Sequence, residues 1–243
     1  GIWILCHTRG EETWQLWHAD VENEVCKWSY PSDSKLAGDG LGGVWVLCRS
    51  AGDNDRLWSL WHANTTREVM KWKYPSSSTL AGDGRGGVWV LCKTDDKYKL
   101  WHANLQREQK MYSFPRTSKL TGDGQGGVWI LAHTDTAWKL WHANLDRETP
   151  SWDFPEESVL EGDGQGGVWM LCKTGGGGHK LWHANLKREV EAHTCSGHAK
   201  IARDGHGGLW VLERDSLRHV TIDDSRTLYD YPISAKLVTT VDG

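Results

Sequence analysis

Histidine and aspartate recur along this sequence at positions where they could do chemistry. A histidine stands in LWHAN or a variant of it at His18, His62, His102, His142, His183 and His219. An aspartate stands in a Gly-Asp-Gly turn or a close variant at Asp39, Asp83, Asp123, Asp163 and Asp204. Such side chains can transfer protons or bind a metal ion. Both uses need several groups at one place, whereas these residues come one to a repeat.

This spacing favours structural roles for both residue types. Zinc–nitrogen bonds are about 2.0 to 2.1 Å long, so histidines from different repeats would lie too far apart to share one ion. Calcium takes about 6 to 8 oxygen ligands, which a single aspartate among glycines does not supply. We therefore predict buried histidines that bond a backbone or side-chain acceptor, aspartates that stabilise their turns, and neither a metal nor another cofactor.

A second polar set follows the LWHAN-like motif in four repeats. Its members are Asn64, Arg67, Glu68, Asn104, Arg107, Glu108, Asn144, Arg147, Glu148, Asn185, Arg188 and Glu189. Two interpretations are open. The charged side chains could bind ligand hydroxyls in a fork-like arrangement of hydrogen bonds, or they could form salt bridges within the turns or between repeats. The match of residues 64–66 to a glycosylation sequon is attributed to chance, because the sibling turns lack it.

The aromatic residues form a third candidate set. The 17 tryptophans all fall in four positions of the repeat, and two of these positions supply the candidate binding residues. These are Trp14, Trp28, Trp58, Trp72, Tyr98, Tyr112, Trp138 and Trp152. Flat aromatic faces suit the C–H faces of sugar rings, although packing alone could also explain them. The fifth repeat has His179 and His193 at these places and the sixth has Asp215 and Tyr229, so we expect weaker sites there.

The repeats predict the elements that position these residues. Anchor tryptophans, one per repeat as in GDGRGGVWVLC, stand at Trp3, Trp45, Trp89, Trp129, Trp169 and Trp210. Their separations of 40 to 44 residues are typical of four-stranded propeller blades. In the third repeat we assign the four strands A to D to STLAG, VWVLC, YKLWHA and EQKMYSF. The sequence thus predicts an all-β, six-bladed β-propeller over residues 1–243, with an open solenoid as the alternative.

The two termini supply complementary pieces of one blade. The N-terminus provides strands B, C and D, and residues 235–240 (AKLVTT) provide a strand A. We therefore predict that the C-terminal strand pairs with the N-terminal strands and closes the propeller.

Strand alternation sorts the aromatic side chains by face. Trp58 points to one face and Trp61 to the other. If residues 64–67 form a tight turn, the last strand pairs back so that Trp72 and Tyr74 share the face of Trp61. Each groove between blades would then have a Trp58-type residue opposite a Trp72-type residue of the next blade, with the Asn-Arg-Glu turns at the opposite end.

Bulk properties exclude several classes of partner. The net charge is −4 without a long basic run, which argues against nucleic acid. No apolar run reaches the roughly 20 residues of a membrane helix, and we see no secretion signal at the start. Cys6, Cys48, Cys92 and Cys172 occupy one repeat position, roughly 10 Å apart on neighbouring sheets, too far for disulfides. We expect reduced thiols in a protein that is cytoplasmic or released without a visible signal peptide.

Tandem stretches such as GDGQGGVWILAHT and KLWHANLDRE, over nearly the whole chain, resemble the β-propeller lectins of the tachylectin and tectonin type. This resemblance implies one glycan site per repeat, often between neighbouring blades, and hence multivalent binding to glycans or glycoconjugates. We therefore expect a lectin and not an enzyme. The alternatives are a protein-interaction scaffold that uses the variable loops between strands B and C, or a propeller hydrolase with an axial active site at Glu161.

Overall fold

Residues 2–7, 14–20, 22–50, 56–93, 97–114, 118–134, 136–155, 157–213 and 216–230 are described by the computed structural model. Their regular structure is entirely β, with 23 strands in six antiparallel sheets and no helix. Within this described part, therefore, no helix is long and apolar enough to cross a membrane. The fold is a six-bladed β-propeller, as the repeat period predicts. Five blades have four described strands and the first has three.

The chain divides between residues 114 and 118 into two compact units, with three blades in each. The first blade has β1 (Ile2–His7), β2 (Trp14–Ala19) and β3 (Glu24–Tyr30). The second has β4 (Lys35–Gly38), β5 (Val44–Cys48), β6 (Leu57–Ala63) and β7 (Glu68–Pro75). The third has β8 (Thr79–Gly82), β9 (Val88–Lys93), β10 (Tyr98–Ala103) and β11 (Glu108–Phe114).

The second unit repeats the same meander three times. The fourth blade has β12 (Ser118–Gly122), β13 (Val128–His133), β14 (Trp138–Ala143) and β15 (Glu148–Asp153). The fifth has β16 (Val159–Gly162), β17 (Val168–Lys173), β18 (His179–Ala184) and β19 (Glu189–Cys195). The sixth has β20 (Lys200–Arg203), β21 (Leu209–Glu213), β22 (Ser216–Val220) and β23 (Ser225–Asp230). The bounds predicted for the third and fourth strands of the third blade agree with β10 and β11.

Two sequence predictions are untested. The strand at residues 235–240, and with it the closure of the propeller, lies outside the described residues. The assignment of residues 1–243 to one domain also stays a prediction.

The second strand of each four-stranded blade forms the core. Residues 44–48 and 88–92 are buried at every position, as expected for apolar, β-branched strands covered on both faces. Within the first unit, Trp45, Trp58 and Tyr74 of the second blade pack with Val90 and Cys92 of the third. The second and third blades are thus joined face to face by apolar side chains.

The outer hairpin of every blade contains a β-bulge that sequence alternation does not show. In the second blade Leu60 pairs with Trp72, whereas Trp61 pairs with Met70, so Lys71 is an extra residue. The other blades shift register at the equivalent places, Leu16/Trp17, Leu100/Trp101, Leu140/Trp141, Leu181/Trp182 and Leu217/Arg218. A one-residue bulge moves every later side chain of the strand to the other face.

The predicted arrangement of aromatic residues across the grooves is therefore wrong. Because of the bulge, Trp72 and Tyr74 share the face of Trp58 and not that of Trp61. The facing surface of the next blade instead contributes Trp101 and Leu105.

The described thiols form no disulfide bonds, and their redox state stays a prediction. Cys6, Cys48, Cys92, Cys172 and Cys195 are all free, while the side chain of Cys26 lies outside the described residues.

Candidate functional site

The recurring histidine and aspartate meet inside each of the last five blades. In the third blade His102 Nε2 lies 2.8 Å from Asp83 Oδ2, and both side chains are about 95 % buried (4 % and 6 % exposed). The second carboxylate oxygen accepts the backbone N–H groups of Arg85 and Gly87 at 2.7 and 2.8 Å. The other four pairs are His62–Asp39, His142–Asp123, His183–Asp163 and His219–Asp204, at 2.7 to 2.8 Å.

Each pair is also held by its anchor tryptophan and a glycine. The ring centroids of Trp89 and His102 are 4.7 Å apart. A Cβ added at Gly87 would lie 2.7 Å from His102 Nε2, so only glycine leaves room for the hydrogen-bonded pair. The predicted structural role is confirmed for the buried His62, His102, His142 and His183 and for the five aspartates, and the structure adds that they are each other's partners. His219 also bonds its aspartate, but its side chain is 30% exposed, and His18 is half-buried.

The anchor tryptophans link consecutive blades as well. The indole Nε1 of Trp45 donates to the Gly86 carbonyl of the next blade at 3.3 Å. Trp3, Trp129 and Trp169 donate in the same way to Gly42, Gly166 and Gly207. The persistence of this tryptophan in every repeat thus has a structural reason.

The Trp72-type aromatics are brought against the Asn-Arg-Glu turns. Trp28 Nε1 donates to the Asn64 carbonyl at 3.2 Å, and Trp72 Nε1 donates to the Asn104 carbonyl at 3.4 Å. In both cases the turn belongs to the following blade. The prediction that these turns lie at the opposite end from the aromatic groove is therefore wrong for Trp28 and Trp72, since backbone carbonyls that the sequence does not reveal bind the two indoles.

Within each turn the asparagine and arginine have different roles. Asn64 Oδ1 accepts the backbone N–H groups of Thr66 and Arg67, both at 2.9 Å, and Asn104, Asn144 and Asn185 close their turns in the same way. The four arginine side chains, Arg67, Arg107, Arg147 and Arg188, are exposed. Among the described side chains none of these guanidinium groups is in an ion pair, so the salt-bridge interpretation gains no support there.

Comparison with known proteins identifies the fold and no closer relationship. No protein-family model and no curated protein matches the chain. The acylaminoacyl peptidase of Pyrococcus horikoshii matches at a TM-score of 0.65 with 11% identity, over 90% of this chain and 42% of the peptidase. The β-propeller domain of the Trilobed protease from Pyrococcus furiosus matches at 0.58 with 9% identity, over 90% and 79%. The chain thus spans less than half of the first of these proteins.

A lectin is also among the matches. A mutant Aleuria aurantia lectin in complex with alpha-methyl-L-fucoside matches at a TM-score of 0.45 with 11% identity, over 96% of this chain and 95% of the lectin. A match at that score carries no argument about function. The comparisons as a whole support the propeller fold alone.

The glutamates of the turns face tyrosines of the preceding blade. Burial first, and then the neighbouring Glu68 carboxylate, raise the pKa of the Tyr30 hydroxyl well above its usual range. Glu108 stands beside Tyr74 with the same effect on the pKa of that hydroxyl. Glu189 is exposed, and the side chain of Glu148 lies outside the described residues. Glu68 and Glu108 thus lie close to buried tyrosine hydroxyls, although the Tyr30 and Tyr74 hydroxyl groups make no hydrogen bond within the described part of the chain.

The remaining predicted aromatics differ in exposure. Trp58 is only 9% exposed and packs in the core between two blades, with Lys35 Nζ 5.7 Å from its ring centroid. Trp152 stacks on the anchor Trp129 at 6.3 Å, in a cluster that includes Trp138. Trp14, Tyr98 and Tyr112 are half-buried. The Trp58 position is therefore mainly a packing position, whereas Trp28 and Trp72 are bonded to turns that contain exposed arginines.

The histidine–aspartate pairs predict how stability depends on pH. Burial acts to raise the pKa of the Asp39 carboxyl, but hydrogen bonds from His62 and from the backbone of Leu41 and Gly43 outweigh it and lower the pKa. A lowered folded pKa stabilises the protein above the unfolded value of about 3.9, and this contribution is lost as the pH falls through the folded value. We expect the urea midpoint to fall steeply below about pH 4, and Asp39→Asn to reduce that fall. An unchanged pH profile in Asp39→Asn would contradict this account.

Proposed function

We propose that the protein is a multivalent carbohydrate-binding protein, a lectin, with related sites in the grooves between consecutive blades. One observation carries the proposal: half-buried indoles are fixed by hydrogen bonds to the next blade's turn, and the same turn carries an exposed arginine that forms no ion pair among the described side chains. The best-supported sites combine Trp28 with Arg67 and Trp72 with Arg107. By repeat equivalence, Trp152 with Arg188 would form another.

The chemistry of these groups suits a sugar. A fixed indole offers a flat apolar face to the C–H groups of a pyranose at little cost in conformational entropy, because its rotamer is already set. A guanidinium presents several N–H donors in one plane to hydroxyl oxygens. Asn64 and Asn104 hold the turn but have their side-chain oxygens occupied by backbone N–H groups, so their proposed role is to position the arginine.

Repetition of similar sites favours binding over catalysis in this proposal. Linked weak sites gain roughly 10² to 10⁴ in apparent affinity without new contacts, so a blade-by-blade arrangement suits clustered glycans. For the alternative, a hydrolase, the relevant group is Glu161, whose pKa is raised by burial against the opposing effect of Arg203. If the protein hydrolyses a glycoside and Glu161→Gln abolishes that activity, the function is catalysis and not binding.

Removal of one turn arginine tests the proposed sites. A glycan array would first identify a bound sugar. In calorimetry with that sugar, Arg107→Ala should weaken one site by about tenfold, as expected for loss of hydrogen bonds from a charged group, while the melting temperature stays unchanged because the side chain is exposed. Lys110→Ala, also exposed and on the adjoining strand β11, is the matched control and should bind like the wild type. Equal binding by both variants would remove Arg107 from the site, and an array without any bound glycan would remove the function.

A further inference from the structure

The groove between the fifth and sixth blades differs in polarity from the groove before it at four corresponding positions, although both grooves keep an apolar core. Between the fourth and fifth blades the groove is apolar, with Trp138, Phe154, Cys172 and Trp182 packed together. The phenylalanine and tryptophan rings there lie 6.0 Å apart. Between the fifth and sixth blades the corresponding residues are His179, Cys195, Glu213 and Arg218.

The carboxylate of Glu213 is the centre of this polar cluster. The residue is only 8% exposed. Its Oε1 accepts the backbone N–H of Ser196, and its Oε2 lies 3.5 Å from Arg218 Nη1. His179 Nδ1 lies 3.0 Å from the Ser196 carbonyl, so the segment after β19 is held from both sides.

Three buried polar atoms of the cluster make no hydrogen bond among the residues that the structure describes. These atoms are Glu213 Oε2, Arg218 Nε and Ser196 Oγ. A buried polar atom without a hydrogen-bond partner is costly and calls for an explanation such as a ligand or an ordered water. The Arg218 side chain is 35% exposed, whereas the three atoms themselves are buried, so a ligand reaches them only when the Arg218 side chain shifts.

The cluster contains no activated nucleophile. Burial, and next the Glu213 carboxylate, raise the pKa of the Cys195 thiol to about 11, and a thiol is nucleophilic only as its thiolate. Within the described residues no three histidine, cysteine, aspartate or glutamate side chains are placed to hold a metal. Binding is therefore the use that these groups support.

We propose that Glu213, Arg218 and Ser196 bind a pair of adjacent hydroxyls of a neutral sugar, at a site distinct from the indole-and-arginine grooves. One hydroxyl donates to Glu213 Oε2, and the neighbouring hydroxyl oxygen accepts from Arg218 Nε. Ser196 Oγ can donate to or accept from either. The glutamate and arginine charges balance, and a buried carboxylate next to the ligand disfavours a sugar acid. This inference rests on the proposed carbohydrate binding, and it places a site where the repeat pattern predicts a weak one.

The test uses the full chain labelled with ¹⁵N-arginine and observes the Arg218 Nε–H resonance, assigned by its loss in Arg218→Trp. Methyl glycosides of mannose, galactose and glucose are titrated, with methyl glucuronoside as the anionic comparison. We expect a saturable shift with at least one neutral glycoside and a response about tenfold weaker or absent with the glucuronoside. Glu213→Gln should weaken the neutral response by about tenfold, since a hydrogen bond to a charged acceptor becomes one to a neutral acceptor.

The fifth blade supplies the matched control. The double variant Glu213→Cys with Arg218→Trp copies Cys172 and Trp182, and it should keep glycan binding at the other grooves while losing one site. If the array shows bound glycans but no glycoside moves the Arg218 Nε–H resonance, the cluster is satisfied by water and this inference fails while the lectin function stands. If the array shows no bound glycan, both fail. The titration of the wild-type chain decides the matter even if a variant does not fold.

Discussion

Replacing Asp83 with alanine should lower the free energy of unfolding by about 3 to 5 kcal/mol, because several donors lose one shared acceptor and each buried donor left unsatisfied costs about 1 to 3 kcal/mol. The variant leaves His102 without its 2.8 Å partner and the backbone N–H groups of Arg85 and Gly87 without their acceptor. Urea unfolding followed by tryptophan fluorescence at pH 7 measures the loss.

Two further variants separate the parts of this effect. Asp83→Asn keeps an oxygen that can accept the backbone N–H groups but removes the charge facing His102, so its loss should be smaller. Asp153→Ala removes a carboxylate that is 69% exposed and 3.8 Å from Lys139, and it should change stability by less than about 0.5 kcal/mol. If Asp83→Ala were as stable as Asp153→Ala, the histidine–aspartate pair would not be a stabilising element of the blade.

Fold class was predictable because it depends on period and composition, which repetition makes plain. The anchor tryptophan and the apolar strand around it recur at 40 to 44 residues, and burial on both faces leaves little choice of structure. The bulge in the outer hairpin was not predictable in the same way. Lysine is common in outer strands, so the residue type of Lys71 gives no sign of a bulge. Only the pairing of Leu60 with Trp72 shows that Lys71 is an extra residue in its strand.

The candidate site was also only partly predictable from the sequence. Repeat position correctly grouped Trp28 with Trp72 and Asn64 with Asn104, but it could not show that the two groups touch, because the contact is made by a backbone carbonyl. The structural roles of the buried histidines and of the aspartates were predicted correctly. Their pairing was not predicted, because it depends on how the first turn of a blade folds over its third strand. The cluster around Glu213 did carry a sequence signal: the sixth repeat replaces the usual small thiol and indole by Glu213 and Arg218.

The second large effect is expected from Gly82→Ala, at the close approach of two first strands. A Cβ on Gly82 of β8 would lie closer than 3.0 Å to the Gly38 carbonyl oxygen of β4, a separation that real Cβ atoms essentially never show. Gly82 and Gly38 both lie in strands that are paired with the next strand of their own blade, Gly82 opposite Val88 and Gly38 opposite Val44. Neither strand can therefore move away without disturbing its own blade.

We expect Gly82→Ala to cost about 3 kcal/mol, the upper part of the usual range for overpacking, because backbone cannot change rotamer to relieve the overlap. Gly162→Ala should have a similar cost in the second unit, where the added Cβ would overlap the Gly122 carbonyl oxygen. Gly175→Ala is the matched control, since no heavy atom lies within 4 Å of its added Cβ, and its stability should stay within about 0.5 kcal/mol of the wild type. Urea midpoints for the three variants test this prediction. Equal midpoints would mean that the first strands have room to separate. In that case the close packing of β4 on β8 would not contribute to stability.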